Sequence, residues 1–397
     1  MSPATSALVQ AWVGARRLPP GPSKTACWFG GEIVARSLLL SLREKSLNPA
    51  QSLRRQVRPK KKSTVTALRA SRTQGTPRER KCSVARTVVI LSDAWTFLVI
   101  REAFFGARRF EEFRLMLEIP RATLADRLQR LVTEGIFRQI EYSETSSWVE
   151  YRLTRLGIDL YPTFMALMQF GDEWLSEKHG VPLQLVHVEC GKVTKPYVAC
   201  SHCKERVTAR HVTYRDGPGA GAVVVEPTRR SRRSSDDNLF NRGRPSAVSR
   251  ALQVIGDRWS FLVIREAFFG ARRFDVLRSE LGIAPNILSD RLSRLVERGI
   301  FMKRMYQSRP DRFEYLLTPM GIDLYGPLIM MMAWGDKWRS NGKAPLLLTH
   351  ADCGHDFTPT VLCSECRQPI AAHAMQYRMR YNPDRYGGKK SSRALPG

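Results

Sequence analysis

The chain has 397 residues, 43% of them hydrophobic, and sets 64 Lys and Arg against 37 Asp and Glu for a formal charge of +27. That apolar content is enough for compact cores, and the length suits two or three domains. The positive field selects polyanionic partners, nucleic acid ahead of acidic membrane. The longest apolar candidate, 88–100, is broken by Ser92 and Asp93 and is shorter than the roughly 18 residues a bilayer span needs, so no membrane partner is expected.

Residues 1–80 hold Lys60, Lys61 and Lys62 and scattered Arg and Pro without helical or strand period. They read as a disordered basic extension, either a DNA-gripping arm or an over-long start. No short basic region followed by an apolar run and a small-residue cleavage site begins the chain, so secretion is not expected.

An internal repeat follows. The fourteen residues from Phe97 to Phe110, FLVIREAFFGARRF, recur from Phe261 to Phe274, an offset of 164 (261 − 97). The register continues through Arg127-Leu128 with Arg291-Leu292, Gly135-Ile136-Phe137 with Gly299-Ile300-Phe301, and the GIDLY runs at Gly157 and Gly321. After Trp174 and Trp338 the offset becomes 163. Each copy is large enough to bury its own core, and the copies are placed at 82–205 and 245–375. Between them, 206–244 contains GPGAGA and RRSRRSS and reads as a flexible basic linker. Its coil dimension of roughly 30–35 Å matches the spacing of about 34 Å between DNA half-sites one turn apart. Residues 376–397 read as a basic tail.

The second copy is read element by element. Ala247, Val248, Ala251, Leu252 and Ile255 form one apolar stripe ending at Gly256, which predicts a helix. A second helix over 259–269 is apolar on most faces and should be the buried centre. Gly270 breaks it. A short helix from Phe274 to Leu281 is followed by Gly282 and by Pro285, a residue suited to a first helical position, which completes a helix-turn-helix. Over 286–298, Leu288, Leu292, Leu295 and Val296 face inward while Asn286, Ser289, Asp290, Ser293 and Arg294 lie on other faces, the pattern of a recognition helix. Two β-prone runs, 300–306 and 313–317, flank a loop carrying Arg309 and Arg312, and read as a wing that meets phosphate or a minor groove, or else as a solvated loop. A helix over 319–338, with Leu324, Leu328, Met331, Met332, Ala333 and Trp334, is too apolar for one small core and is assigned to the interface between the copies.

Each copy ends in the same constellation, His187, Cys190, Cys200 and Cys203 in the first and His350, Cys353, Cys363 and Cys366 in the second. H-x2-C and C-x2-C pairs can place N and S ligands tetrahedrally around a structural zinc. The spacing reads as one closed zinc site within each copy, two in all, or as free thiols packed in a hairpin, with His202 and His355 as substitute ligands. Zinc would staple a small appendage with little core of its own.

The order of helix, GDRW, aromatic helix, recognition helix and a wing with EYxLTxxG resembles the HxlR family of bacterial winged helix-turn-helix regulators, in both copies. The motifs are Gly256-Asp257-Arg258-Trp259, the segment from Phe274 into Ile283, Leu288-Ser289-Asp290-Arg291-Leu292, and Glu314-Tyr315 with Thr318 and Gly321. The resemblance implies an α+β fold, mainly helical with small β-hairpins, made of two tandem winged helix-turn-helix domains each with a Cys/His appendage. It further implies a cytoplasmic, nucleoid-associated location, double-stranded DNA as partner and pairing of the two halves through first and last helices. Here that pairing would be an intramolecular pseudo-dimer, with further homodimerisation open.

The copies differ where they would touch DNA. Asn286 and Ser289 are replaced by Ala122 and Ala125, which cannot hydrogen-bond a base edge, and Arg309 and Arg312 by Thr145 and Trp148, with Glu144 nearby. Asn286, Ser289, Arg291, Arg294, Arg309 and Arg312 are the expected DNA-binding residues of the second copy, and Arg121, Arg127 and Arg130 those of the first. Cys82, beside Lys81 and Arg86, occupies a position where some relatives carry a sensor cysteine, and is a candidate redox sensor or an inert packed thiol. No P-loop, G-x-S-x-G or H-E-x-x-H motif is present, so no enzyme is expected. The expected function is operator binding by a repressor, or else non-specific architectural binding of nucleic acid.

Overall fold

The computed structural model describes residues 78–91, 93–141, 149–176, 180–224 and 243–381. The expectations for most of the N-terminal extension, for the first wing tip with Glu144, Thr145 and Trp148, for the Arg-rich stretch of the linker and for most of the tail lie outside the described residues.

The first copy runs β1 (Arg78–Arg80), α1 (Ser83–Ile90), α2 (Ala94–Phe104), α3 (Phe110–Leu117), α4 (Arg121–Thr133), β2 (Phe137–Glu141), β3 (Val149–Leu153), α5 (Arg155–Ile158) and α6 (Tyr161–Trp174). Its appendage adds β4 (Leu183–His187), β5 (Val193–Thr194), β6 (Tyr197–Cys200), β7 (Val212–Asp216) and β8 (Ala222–Val224). The second copy repeats the order with α7 (Ala247–Ile255), α8 (Arg258–Phe268), α9 (Phe274–Leu281), α10 (Pro285–Glu297), β9 (Phe301–Ser308), β10 (Asp311–Leu317), α11 (Pro319–Asp323) and α12 (Tyr325–Arg339). β11 (Leu346–His350), β12 (Asp356–Phe357), β13 (Pro359–Leu362) and β14 (Met375–Met379) close the chain. This is the mixed α+β architecture of paired winged helix-turn-helix units expected from the sequence.

Local chemistry sets the element ends. The Asp257 carboxylate accepts from the Trp259 and Ser260 amides at 3.0 and 3.3 Å, and Asp93 accepts from Thr96 at 3.1 Å, so each central helix starts on a side-chain cap. Pro285 opens α10 where its missing N–H would be unsatisfied anyway. α9 ends on Gly282 in the left-handed conformation, φ 57°, whereas the equivalent end of α3 places a glutamate there, Glu118 at φ 50°. Thr318 accepts from the Gly321 amide at 3.1 Å and Thr154 from Gly157 at 3.2 Å; each threonine caps the short helix after its wing.

Three sequence expectations are corrected. Parts of the linker and tail are built into sheets: β7 pairs with β11, β8 with β1, and β14 with β4. The wing strands β9 and β10 extend further than the periodicity suggested, because Asp311 pairs with Ser308 and leaves only Arg309 and Pro310 between them. The last long helix is two, α11 and α12, divided at Leu324, whose backbone is helical but which caps both.

The two copies share one continuous apolar core. α1 of the first packs on α12 of the second, and α7 of the second on α6 of the first, as anticipated for the apolar last helix. The packing is reciprocal, as a two-fold relation requires. Trp174 Nε1 donates to Asp323 Oδ2 at 2.8 Å and Trp338 Nε1 to Asp159 Oδ2 at 3.1 Å. Gly171 lies against the Ala247 carbonyl and Gly335 against that of Ser83, so closely that a Cβ at either glycine would collide with backbone. Sequence periodicity missed a buried charged layer inside the repeated run: Arg101 and Glu102 pair at 2.6 Å, Arg265 and Glu266 likewise at 2.6 Å, and all four are nearly inaccessible. Arg244, expected in the linker, reaches in to pair with Glu102 at 2.9 Å.

Candidate nucleic-acid interface and metal-binding clusters

α10 is amphipathic in three dimensions as it is in sequence. Leu288, Leu292 and Leu295 are buried, while Asn286, Ser289 and Ser293 are exposed on the opposite side. Such a helix can offer polar groups to a groove while its back is fixed to a rigid core. On α4, Leu124, Leu128 and Leu131 are buried in the same way, and Ala122 and Ala125 occupy the exposed positions, presenting methyl groups where α10 presents an amide and a hydroxyl.

The arginines proposed from sequence divide into two kinds. Arg309 and Arg312 are exposed at the wing tip, and Arg121 stands 77% exposed at the start of α4, paired to Glu111 at 3.1 Å. Arg291 does not reach outward: its Nε donates to Asp257 at 2.8 Å with the side chain 12% exposed, and it also pairs with Asp290. Arg127 forms the equivalent ion pair with Asp93 at 2.8 Å, 20% exposed. Each guanidinium ties the recognition helix to the acid that caps the central helix. Arg130 hydrogen-bonds the Val89 carbonyl of α1 and is likewise engaged within the fold. Arg294 pairs with Asp290 one turn back at 3.0 Å and remains about a third exposed.

Sequence reasoning missed part of the second wing. Met302, Met305 and Tyr306 are exposed there, beside Lys303 and Arg304. Alternation along β9 carried no warning, because beyond Phe301 nearly every residue of this strand meets solvent whichever face it lies on.

Cys82, 5% exposed, heads α1 within the core. The Arg86 guanidinium, expected beside it, donates to Ser340 Oγ at 2.7 Å and the Arg339 carbonyl at 3.1 Å in the other copy. The inert packed reading is the one this placement supports.

All eight Cys and His residues of the two constellations come together, but in a different partition from the one expected. One cluster is His187, Cys190, Cys363 and Cys366; the other is Cys200, Cys203, His350 and Cys353. Each takes its H-x2-C from one copy and its C-x2-C from the other, which corrects the reading of a closed site within each copy. The cause is strand exchange. β6 pairs antiparallel with β13 across the copies, and Thr358 N donates to Ser201 Oγ at 3.1 Å as Lys195 N does to Ser364 Oγ at 3.1 Å. The C-x2-C turns are thereby carried to the far partner's histidine.

Within each cluster the ligand atoms lie within 4.8 Å of one another. His187 Nδ1 is 3.5 Å from Cys190 Sγ and 3.2 Å from Cys366 Sγ, with Cys190 and Cys363 sulfurs 3.9 Å apart. The second cluster has 3.6 and 3.3 Å from His350 Nδ1 to Cys353 and Cys203, and 3.9 Å between Cys200 and Cys353. The amides of Glu365 and His202 donate to Cys363 and Cys200 sulfurs, each at 3.4 Å. The Cys353 thiol is pulled down to about 6, chiefly by the backbone amide of His355. The His202 and His355 rings stack on the surface at 3.6 Å, and with Cys353 they form a third group whose ligand atoms lie within 4.8 Å of one another, so they stand beside the second cluster as alternative ligands. These groups can hold metal ions.

The recognition helices, wings and paired first and last helices define a winged helix-turn-helix transcription factor. The HxlR-like helix-turn-helix model matches residues 90–179 and again 254–343. Uncharacterized HTH-type transcriptional regulators of Mycobacterium tuberculosis and Mycobacterium bovis are 46% identical over 143 residues, 36% of this chain and 90% of each relative. Another from Synechocystis sp. is 35% identical over 100 residues, 24% of this chain and 73% of its own length. The chain belongs to the HxlR-like family, with two copies of the family's domain in tandem.

No helix among the described residues is long and apolar enough to cross a membrane.

Proposed function

We propose that this protein is a sequence-specific DNA-binding repressor that grips an asymmetric operator as a single-chain pseudo-dimer, with no catalytic step. The observation that carries the reading is the paired presentation of Asn286 and Ser289 on α10 and of Ala122 and Ala125 on α4, all four exposed over buried leucines. Asn can take both major-groove edge positions of adenine, and alanine can offer only apolar contact to a thymine methyl. The second half-site is therefore read strictly and the first loosely. Exposed Arg309 and Arg312 add phosphate or minor-groove contacts on the same side. Repression follows from occupation of a promoter by the grip itself, and two structural zinc ions accompany the fold.

Selection of bound duplexes from a random library, with the full chain, zinc and reductant at near-physiological salt, tests this. An enriched motif with one sharp and one relaxed half-site about a helical turn apart is the expected result. Tight binding without enrichment replaces it with architectural, non-specific binding.

A further inference from the structure

Small appendages with little core of their own need a staple, and here the staples cross between the copies. A tetrahedral zinc with Zn–S near 2.3 Å and Zn–N near 2.0–2.1 Å holds its ligand atoms roughly 3.5–3.8 Å apart. The S···N and S···S separations of 3.2 to 3.9 Å in both clusters match those edges. A disulfide needs about 2.05 Å, so sulfurs 3.9 Å apart are unbonded. Both histidines are fully buried, and their Nε2 atoms have no hydrogen-bond partner. Glu189 and Asp352, equivalent residues, place a carboxylate oxygen 3.8 and 3.5 Å from those nitrogens, near enough to supply negative charge beside each cluster but beyond a direct hydrogen bond. Three soft sulfurs and one imidazole select zinc among the common divalent ions.

We infer that the chain binds two zinc ions, each held jointly by the two repeats, and that the metals act as a clasp fixing one winged domain against the other. This rests on the zinc reading above and adds the crossed ligand sets and their consequence. Neither cluster is built from one repeat alone, so in this arrangement each metal bridges the two repeats. Zinc occupancy and the mutual placement of the two DNA-reading heads are one equilibrium, because ions that bind only the closed arrangement stabilise it by mass action.

The test uses the full chain, its zinc content measured by elemental mass spectrometry and its cysteines mapped by maleimide labelling and peptide mass spectrometry. Wild-type protein should carry two zinc ions per chain and protect all six cluster cysteines. In Cys366→Ser, the crossed arrangement exposes Cys190 and Cys363 to label while Cys353 stays protected. Cys203→Ser should mirror it, exposing Cys200 and Cys353 and sparing Cys190. Labelling of Cys353 with protection of Cys190 in Cys366→Ser would show sites closed within each repeat and overturn the crossing while leaving zinc in place. Wild-type protein without zinc, labelling at all six, would overturn the metal itself.

Discussion

Phe97 and Phe261, the same residue of the two repeats, stack on each other with ring centroids 6.1 Å apart and planes 25° off parallel. Identical side chains meet in this way only at a local two-fold axis. The pairing of Asp93 with Asp257 in an isolated bridge places the backbone of the two central helices on the same axis. The two repeats are therefore halves of one core.

Gly171 and Gly335 are where the outer helices approach most closely, each against a carbonyl of the other repeat. Gly171→Ala or Gly335→Ala should cost about 1–3 kcal/mol through overpacking, read as a lower denaturation midpoint. An unchanged midpoint would mean that the helices separate without cost.

Glu118 adopts the left-handed conformation that its counterpart Gly282 adopts freely. A non-glycine residue there costs about 1–2 kcal/mol, part of which glycine returns to the flexible unfolded chain. Glu118→Gly is expected to stabilise by up to about 1 kcal/mol, whereas Gly282→Glu destabilises; thermal melts of both variants check the sign.

Asn286→Ala should weaken binding of the selected operator by about 1–3 kcal/mol and relax one half-site only. Replacing Arg309 and Arg312 by Ala should instead weaken all duplexes alike and reduce the salt slope by about one for each phosphate left without its arginine. Installing Ala122→Asn with Ala125→Ser is expected to sharpen the other half-site. Equal losses across both half-sites for Asn286→Ala would remove the asymmetric reading.

Arg291 and Arg127 join α10 and α4 to the caps of the central helices. Arg291→Ala removes a charged hydrogen bond worth about 1.5–3 kcal/mol, so its main effect should be a lower melting temperature. Well below that temperature, the salt dependence of DNA binding should match wild type; a reduced slope would return Arg291 to the phosphate-binding set.

Burial pushes the Asp172 carboxyl up to about 7 and the Asp336 carboxyl up to about 6, with Arg250 and Arg86 partly offsetting it. A carboxyl raised in the folded state binds its proton more tightly there than in the unfolded chain. Its contribution is complete below the unfolded value near 4 and is lost as pH rises through the folded value. Asp172→Asn should therefore gain stability relative to wild type between about pH 4 and 8, read by urea titration at each pH. A constant difference would show that this carboxyl does not titrate with folding.

The sequence by itself determined the duplication, the helical order, the outward faces of both recognition helices and the family. These follow from periodicity, and the apolar helix over 319–338 marks the interface because Leu324, Leu328, Met331 and Trp334 are too many for one small core. Only the tertiary structure decided which cysteines share a cluster, since an identical H-x2-C and C-x2-C in each repeat fits either partition and the exchange of β6 with β13 chooses one. It also decided that Arg291 and Arg127 face inward and that Arg101, Glu102 and Arg244 are buried together. A charge in a sequence reads as solvent-facing until a partner from far along the chain arrives to neutralise it, and that partner is set by the two-fold packing of the repeats.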